Sequence, residues 1–437
     1  MSNFIRRLII PSSLWNNAYG ELATGRQQIA WGYVQRSFHD HFCDLIVRHM
    51  RFGETPPSGR KLSAMDDWLL LDNPSSTGES TVRHRIEQSE LCSGQWMVYL
   101  QTGLGDDHSG WIGLIAGGDQ LVPLDEVRLV GPRMPVFSRA ENAPPINDEP
   151  ARWSRQVGAL GENVFRRVHE SSVLLIGAGR LGGLMGESLV RSGVQKLIVT
   201  DPDEIESHNL DATFGTRESD LGRFKTVRLV EHLNEIRPDA HLVGLTRTAD
   251  DPLVLEKAKC VDLLVSCVDN PDAREQASRI AARLVKPHLD LGTIVRHRVS
   301  PQPDDLGGDV SENESPLSFD LEYDRDLGAD VRLLLPGCCV RCVSAVDVSS
   351  MTSDSTLTTP QASDIELTPD WQRGGRTGSL VSLNSMAVGV AMQMWFDFLA
   401  GRINGPFWHR LRWEQGVGIQ SVAQRVHSPG KCEICET

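Results

Sequence analysis

The chain has 437 residues, which favours two or three domains over a single core. Its formal charge of -14 argues against a general nucleic-acid-binding surface, which needs an excess of basic residues. The apolar run before Pro11 is too short for a signal peptide, and nine cysteines without a secretory signal indicate a reducing, cytoplasmic compartment.

The first unit spans residues 1–131 and mixes two kinds of pattern. Residues 18–50 have a helical pattern that includes His39 and His41, while "QWMVYLQT" resembles a strand. These patterns predict a smaller α+β domain. A linker at 132–150 follows, because its five prolines deny backbone donors and favour extended chain.

From Ala151 to the C-terminus, short aliphatic runs alternate with helical segments. The runs are "SVLLIGAG", "KLIVTD", "AHLVGLT" and "VDLLVSCVD". This βαβ alternation predicts a Rossmann-like, doubly wound, mostly parallel sheet over residues 151–437. The long apolar stretch at 379–401 is interrupted by polar residues, so we expect a buried helix and no membrane span.

The stretch "VLLIGAGRLGG" contains a Gly-x-Gly-x-x-Gly turn at Gly177, Gly179 and Gly182. Such a turn brings backbone close to a phosphate at a helix N-terminus. Asp201 ends the following strand, where a carboxylate can accept ribose hydroxyls. These residues alone leave NAD and ATP equally open.

Residues further along the chain favour ATP. Lys225, Asp269 and Arg274 follow, and "RWSRQ" contributes Arg152 and Arg155 upstream. Hydride transfer needs neither these cations nor an acid at the end of a strand. Adenylation needs both. It uses a carboxylate to hold Mg²⁺ and cations to draw charge from the phosphates.

The chain now resembles the ThiF/MoeB family, related to ubiquitin-activating enzymes, from about residue 151 onward. The resemblance rests on "RWSRQ", "VLLIGAGRLGG", "TDPDEIESHNL", "DLGRFK", "CVDN" and two Cys-x-x-Cys pairs. It implies that Asp201 holds the ribose, that Asn209 and Lys225 face the phosphates, and that Asp269 binds Mg²⁺. Arg155 would reach across a homodimer interface into the partner's site.

The resemblance therefore implies catalytic roles for three residues, Arg155, Lys225 and Asp269. The predicted nucleotide site comprises Gly177, Gly179, Gly182, Asp201, Asp203, Asn209, Lys225, Asp269 and Asn270.

One departure from the family pattern concerns the residues after Asn209. The family has an arginine two residues after "NL", where this chain has Ala212. Arg180, which replaces a family glycine, or Arg217 or Arg223 could supply the missing charge. Without a substitute, the chain would be a weakened enzyme or a scaffolding subunit.

The two Cys-x-x-Cys pairs, Cys339–Cys342 and Cys432–Cys435, predict a structural Zn²⁺ site with four sulfur ligands, the alternative being free thiols. Residues 343–377 should form a crossover loop, and this loop contains no cysteine. Three acyl-transfer routes stay open: direct transfer to another protein's thiol, a loop hydroxyl, or Cys338.

Two further regions have weaker signals. The acidic stretch 301–335 predicts either a solvated loop or a docking surface for a basic partner. Some relatives carry a JAMM-peptidase-like domain ahead of the adenylation domain. Here Gln101 and Gly103 occupy the positions of its metal-binding histidines, so we expect a degenerate JAMM-like or other recognition domain without peptidase activity.

Taken together, the sequence predicts an enzyme that uses ATP, Mg²⁺ and Zn²⁺. It would adenylate the C-terminal glycine tail of a ubiquitin-like or sulfur-carrier protein and pass the acyl group to a conjugating-enzyme-like or other acceptor. The family resemblance suggests a bacterial antiviral defence operon as the context. Neither nucleic acid nor a membrane is an expected partner. The alternatives are a non-catalytic scaffold and an NAD-dependent oxidoreductase.

Overall fold

The computed structural model describes residues 4–24, 29–39, 42–52, 66–72, 96–101, 112–117, 120–138, 150–211, 213–297, 325–343, 379–414, 417–426 and 432–435. Within these ranges the chain forms two sheets, one of nine strands and one of eight.

The N-terminal sheet mixes parallel and antiparallel pairs. Its strands are β1 (Ile5–Pro11), β2 (Ile29–His39), β3 (Phe42–Phe52), β4 (Asp66–Asp72), β5 (Trp96–Gln101), β6 (Ile112–Gly117), β7 (Gln120–Pro123), β8 (Glu126–Val130) and β9 (Val136–Ser138). They lie in the order β7-β6-β5-β4-β2-β3-β1-β8-β9, and helix α1 (Ser12–Ala23) packs against β1, β2 and β3.

The helical pattern predicted over residues 18–50 is wrong beyond α1, because most of that segment forms β2 and β3. Both strands lie inside the sheet and pair on both sides. Residues 43–47 of β3 are all buried, so this stretch lacks the alternation that identifies a half-exposed strand. His39 ends β2 as a buried residue that contacts Arg7, while His41 lies outside the described residues.

The second sheet follows the predicted βαβ pattern. Its strands are β10 (Ser172–Ile176), β11 (Lys196–Thr200), β12 (His241–Leu245), β13 (Leu263–Ser266), β14 (His288–His297), β15 (Arg325–Leu334), β16 (Phe407–Glu414) and β17 (Gly418–Arg425). The order is β12-β11-β10-β13-β14-β15-β16-β17. Strands β10 to β14 are parallel, and the last three pair antiparallel.

Helices cover both faces of this sheet. They are α2 (Pro150–Leu160), α3 (Glu162–Glu170), α4 (Arg180–Arg191), α5 (Lys225–Ile236), α6 (Pro252–Lys259), α7 (Pro271–Leu284) and α8 (Val381–Ala400). Buried residues of α4, α5 and α8 share one core cluster, and those of α6 and α7 share another. β10 is therefore fully buried and reads as an unbroken apolar run.

These elements bear on three predicted connecting segments. The predicted acidic loop at 301–335 is too long, because residues 325–334 form β15, which pairs with both β14 and β16. Residues 298–324, and residues 344–377 of the predicted crossover loop, lie outside the described residues. The predicted linker at 132–150 includes β9 and the first residue of α2.

The N-terminal sheet packs against the edge of the second sheet where its parallel strands begin. Arg128 Nη1 lies 2.8 Å from Oδ1 of Asp262, just before β13, and Arg48 Nη1 donates to the carbonyl of Ala282 at 3.0 Å. Ile9 and Ile46 form an apolar cluster with Val285. The opposite edge, where β10, β11 and β13 end, carries the glycine turn.

None of the helices in the described part of the chain combines the length and apolarity that crossing a bilayer requires. The 20-residue helix α8 is the most apolar candidate, and it is a core helix, since ten of its residues are buried.

Candidate functional site

The candidate site lies where the strand order of the second sheet reverses. From β10 the chain passes to β11 and β12 on one side, and then crosses to β13 on the other side of β10. The loops that follow β10 and β13 therefore leave the sheet in opposite directions and open a crevice. Ligands of doubly wound sheets bind in such a crevice at the carboxyl ends of the strands.

The glycine turn after β10 has a different steric reason for each glycine. Gly177 has φ +99°, and a Cβ there would lie 2.7 Å from the Cys267 carbonyl oxygen; at Gly182 it would lie 1.9 Å from the Gly177 carbonyl oxygen. A Cβ at Gly179, the N-cap of α4, would meet nothing within 4 Å. Gly177 and Gly182 thus permit the tight turn, and Gly179 leaves open space for a phosphate at the helix N-terminus.

Asp201 anchors this turn from the end of β11. Its Oδ2 accepts a hydrogen bond from Ala178 N at 2.7 Å, and its Oδ1 accepts one from Asp203 N at 2.9 Å. Burial raises the pKa of Asp201, although these two backbone donors oppose the shift. Each carboxylate oxygen retains a lone pair for a further donor, so the predicted contact with ribose remains a prediction.

Lys225 is fixed beside this turn by two contacts with Asp203. Lys225 N donates to the Asp203 carbonyl at 2.9 Å, and Nζ lies 2.8 Å from Oδ2 of Asp203. The lysine side chain is only 13% exposed, whereas that of Asp203 is 63% exposed. The ammonium group therefore has a defined position at the first residue of α5, close to the loop that carries Asp201.

Asn209 closes a short turn in the loop between β11 and α5. Its Oδ1 accepts a hydrogen bond from Glu206 N at 2.9 Å, which leaves the side-chain amide as the donor that a phosphate could use. Arg180, the first residue of α4, reaches across to this turn and bonds to the His208 carbonyl and to Asp211. Ala212 lies outside the described residues.

Asp269 and Asn270 follow β13 on the other side of the crevice. Asn270 is the N-cap of α7, where its Oδ1 accepts from Asp272 N at 2.8 Å. Asp269 is exposed, and among the residues that the structure describes none bonds to its carboxylate. An exposed carboxylate of this kind is a suitable ligand for Mg²⁺.

A buried polar network that the sequence analysis missed supports this loop. Arg274 Nη1 lies 3.0 Å from Oδ2 of Asp290, and Nη2 donates to the Val268 carbonyl at 2.6 Å. Arg332 also pairs with Asp290, at 2.8 Å. Although burial opposes ionisation, the guanidinium groups of Arg274 and Arg332 hold the pKa of Asp290 below its usual range. Arg274 thus fixes the residue that precedes Asp269.

The same network contains His288, which lies on β14 two residues before Asp290. His288 contacts Ser266 Oγ at 2.8 Å and Ser278 Oγ at 3.1 Å. Polar residues at alternate positions of a buried strand, here "HLD", were the available sequence signal for this network.

Two arginines do not converge on the turn as the sequence analysis expected. Arg274 pairs with Asp290, and Arg152 bonds to the Ile236 carbonyl at 3.1 Å and to Asp239 at 3.4 Å. Ile236 ends α5, whereas Lys225 begins it, about 18 Å away for a 12-residue helix. Arg155, one turn beyond Arg152, is exposed near that far end. It therefore lies away from this chain's own glycine turn.

Four cysteines form the second candidate site. Cys339 Sγ lies 3.7 Å from Cys342 Sγ and 3.6 Å from Cys432 Sγ, and the Cys342 and Cys435 sulfurs are 3.6 Å apart. Four thiolates around Zn²⁺ with bonds of about 2.3 Å have sulfurs about 3.8 Å apart, so these residues fit a tetrahedral Zn²⁺. Hydrogen bonding to neighbouring thiols, Cys435 first, lowers the pKa of Cys339 to about 5.

The family comparison matches the part of the chain that carries the glycine turn. Residues 153–315 match the sequence model of the ThiF family. The chain contains a ThiF-family domain. This domain includes the glycine turn, Lys225 and Asp269, so the predicted family and the doubly wound α/β fold are both confirmed.

The alignments with individual relatives cover only part of each relative's length. The tRNA threonylcarbamoyladenosine dehydratase 1 of Saccharomyces cerevisiae is 30% identical over 28% of this chain and 29% of its own. Ubiquitin-like modifier-activating enzyme 5 of Dictyostelium discoideum is 26% identical over 45% of this chain and 47% of its own. The chain thus spans less than half the length of either relative.

Among solved structures, Escherichia coli MccB with AMPCPP and selenomethionine-labelled MccA aligns with 68% of this chain and 76% of its own. The TM-score is 0.46 and the identity 18%.

Proposed function

We propose that the ThiF-family domain adenylates the C-terminal carboxylate of a ubiquitin-like or sulfur-carrier protein. The observation that supports this most directly is the arrangement around the open space at Gly179. Three groups lie at the same edge of the sheet, where its parallel strands end. They are the N-terminus of α4, the ammonium of Lys225 and the exposed carboxylate of Asp269. This arrangement suits a nucleoside triphosphate.

In the proposed reaction, a tail carboxylate oxygen forms a bond to the α-phosphorus of ATP. The bond between the α-phosphorus and the bridging oxygen breaks, and pyrophosphate leaves with the electron pair. Lys225 and the N–H groups at the start of α4 stabilise the negative charge that develops. Asp269 would hold Mg²⁺, which supplies further positive charge to the phosphates.

A protein substrate fits the charge of the chain better than tRNA does, although one relative is named for a tRNA modification. A formal charge of -14 repels a polyanion, and binding of nucleic acid depends on neutralising its phosphates with Lys and Arg. The relative named as a modifier-activating enzyme agrees with a protein substrate.

The two other classes of function find less support. An NAD-dependent oxidoreductase has no use for Lys225 next to the turn or for an exposed acid on the opposite loop. A scaffolding subunit is favoured only by Ala212, and the pairing of Lys225 with Asp203 retains a cation at the site.

After adenylation, we propose direct transfer of the acyl group to a thiol of a conjugating-enzyme-like or other acceptor. Cys338 is a poor nucleophile in this structure, because its side chain is buried at 7% exposure beside the cysteine cluster. The Ser and Thr hydroxyls of residues 344–377 lie outside the described residues, and attack by one of them stays the second route.

We also propose that Zn²⁺ occupies the cysteine cluster, and that the protein works in a reducing, cytoplasmic compartment. The sulfur spacings support the metal. The compartment is inferred from the two Cys-x-x-Cys pairs, which suit a metal where disulfides do not persist.

A homodimer would give Arg155 a role. Because Arg155 is exposed near the far end of α5, it acts on a nucleotide only if a second copy brings it to that copy's glycine turn. Sedimentation of the active protein as a monomer would contradict this role.

For the N-terminal domain we propose recognition of a partner, with no peptidase activity. Gln101 ends β5, where a JAMM-like domain would place a metal-binding histidine, and Gly103 lies outside the described residues. The acidic residues 301–324 are proposed as a surface for a basic partner, and the operon context of a defence system remains a proposal as well.

The test of the proposed function is direct detection of the adenylate. The chain would be incubated with ATP, Mg²⁺ and a ubiquitin-like protein that ends in glycine and is encoded beside it. Mass spectrometry should show the ubiquitin-like protein carrying one AMP, and none with Asp269→Ala. The same protein without its terminal glycines is the control, and its modification would contradict adenylation of the tail.

A further inference from the structure

Arg180 is the cation closest in sequence to the open space of the glycine turn. It is the first residue of α4, directly after Gly179. Its side chain is only 21% exposed, and its guanidinium bonds to the His208 carbonyl and lies 2.8 Å from Asp211 Oδ1. The side chain thus spans from the start of α4 to the loop that carries Asn209, across the side of the turn facing β11.

The other two arginines considered for this charge lie at or next to the turn that includes Asp220. Arg223 Nη1 lies 3.0 Å from Asp220 and Nη2 lies 2.6 Å from Glu231, a residue of α5. Arg217 is exposed at the turn that includes Asp220. Among the residues that the structure describes, neither side chain bonds to the glycine turn, whereas Arg180 belongs to it.

The present partner of Arg180 can be exchanged at little cost. Asp211 is 64% exposed, and an ion pair with such an exposed partner contributes little to stability. A triphosphate presents several charges in a geometry that suits the fork of an arginine. The guanidinium can therefore leave Asp211 for phosphate while the bond to the His208 carbonyl keeps the side chain over the turn.

We propose that Arg180 binds the phosphates of ATP and supplies the charge that Ala212 does not. This rests on the proposed function, since it assigns a residue to the same nucleotide. Asp211 is then the anion that ATP displaces, and Lys225 and Arg180 contact the triphosphate from two different elements. The site has its second cation on the glycine turn itself and not in the loop after Asn209.

The test compares binding of ATP with binding of adenosine, which has the same base and ribose but no phosphate. In calorimetric titrations of the full chain, Arg180→Gln should weaken ATP binding at least tenfold and leave adenosine binding unchanged. The affinity of Arg180→Lys for ATP should lie between those of the wild type and Arg180→Gln. Asp211→Asn should tighten ATP binding, because the competing anion is gone.

Arg191→Gln is the matched control, since Arg191 is also an arginine of α4 paired with an acid, Glu187, but at the other end of the helix. It should bind ATP and adenosine as the wild type does. Equal loss of both ligands in Arg180→Gln would indicate a structural role, and unchanged ATP affinity would also overturn the proposal. If the wild-type chain binds adenosine but shows no preference for ATP, the proposed function itself fails.

Discussion

At the scale of single residues, the structure separates side chains that reach the glycine turn from those that only resemble site residues in sequence. Arg152 and Arg274 looked like phosphate ligands, yet they pair with Asp239 and Asp290. An arginine side chain is long enough to pair with any of several acids, and the partner depends on contacts between residues far apart in the chain. The positive φ of Gly177 and the close approach of Gly182 to the Gly177 carbonyl, in contrast, arise within the turn itself and could be predicted.

Lys225 is the residue whose removal should affect the chemical step most. Lys225→Ala should lower the turnover of adenylation by about 10²–10³-fold, because one positioned charge at a developing anion has about that effect. Single-turnover kinetics would measure it. Lys196→Ala is the control, since Lys196 is exposed at the start of β11 and far from the turn. A similar loss in both variants would contradict the assignment.

His288 should make the stability of the protein depend on pH. Burial lowers the pKa of His288 to about 4, whereas the ordinary value is 6.5. Between these values the unfolded chain binds a proton that the folded chain does not, so the free energy of unfolding decreases as the pH falls from 6.5 to 4. The contribution of the neutral His288 side chain to the free energy of unfolding is complete above pH 6.5. Its loss at low pH lowers that free energy by about 3 kcal/mol.

The variant His288→Gln isolates this effect, since the other titrating groups remain. The variant's urea midpoint should change less between pH 7 and pH 4.5 than that of the wild type. Parallel pH profiles for the two proteins would show that His288 does not titrate as the structure requires.

At the scale of elements, whether a strand could be predicted from the sequence depended on where its pairing partners lie in the chain. The aliphatic runs of β10, β11, β12 and β13 stand between helical segments and could be predicted from their alternation. β2 and β3 could not, because their outer partners are not their neighbours in the chain. β3 pairs with β1 across α1 and β2, and β2 pairs with β4 across β3. β15 was hidden in an acidic stretch, because its pairing with β14 and β16 outweighs the polar composition.

The cysteine cluster ties two elements together and should bind one Zn²⁺ per chain. Residues 432–435 meet residues 339–342 through it, so removing the metal should release the C-terminal segment. Metal analysis of fresh protein should find one equivalent, and Cys435→Ser should lower both the zinc content and the melting temperature. Less than half an equivalent in fresh wild-type protein would contradict the site, while Cys260→Ser, outside the cluster, should change neither quantity.

At the scale of the whole molecule, the two sheets have separate tasks. The N-terminal sheet packs where the parallel strands begin, through Arg128 and Asp262 among others, and the proposed nucleotide site lies at the opposite, carboxyl ends of those strands. The sequence predicts a boundary between the two units at residues 132–150, because prolines mark it, and this boundary stays a prediction. The sequence could not predict how they dock, since that depends on contacts such as the partly buried ion pair of Arg128 with Asp262, which are more than 130 positions apart.

Adenylation of a protein tail is tested most directly by pyrophosphate exchange into ATP. The assay uses the full chain and a ubiquitin-like protein that binds it through a glycine tail. The wild type should exchange pyrophosphate only when this protein is present, and Asp269→Ala should bind the protein equally well but not exchange. If the tail binds and the wild type still catalyses no exchange, the chain is not an adenylating enzyme.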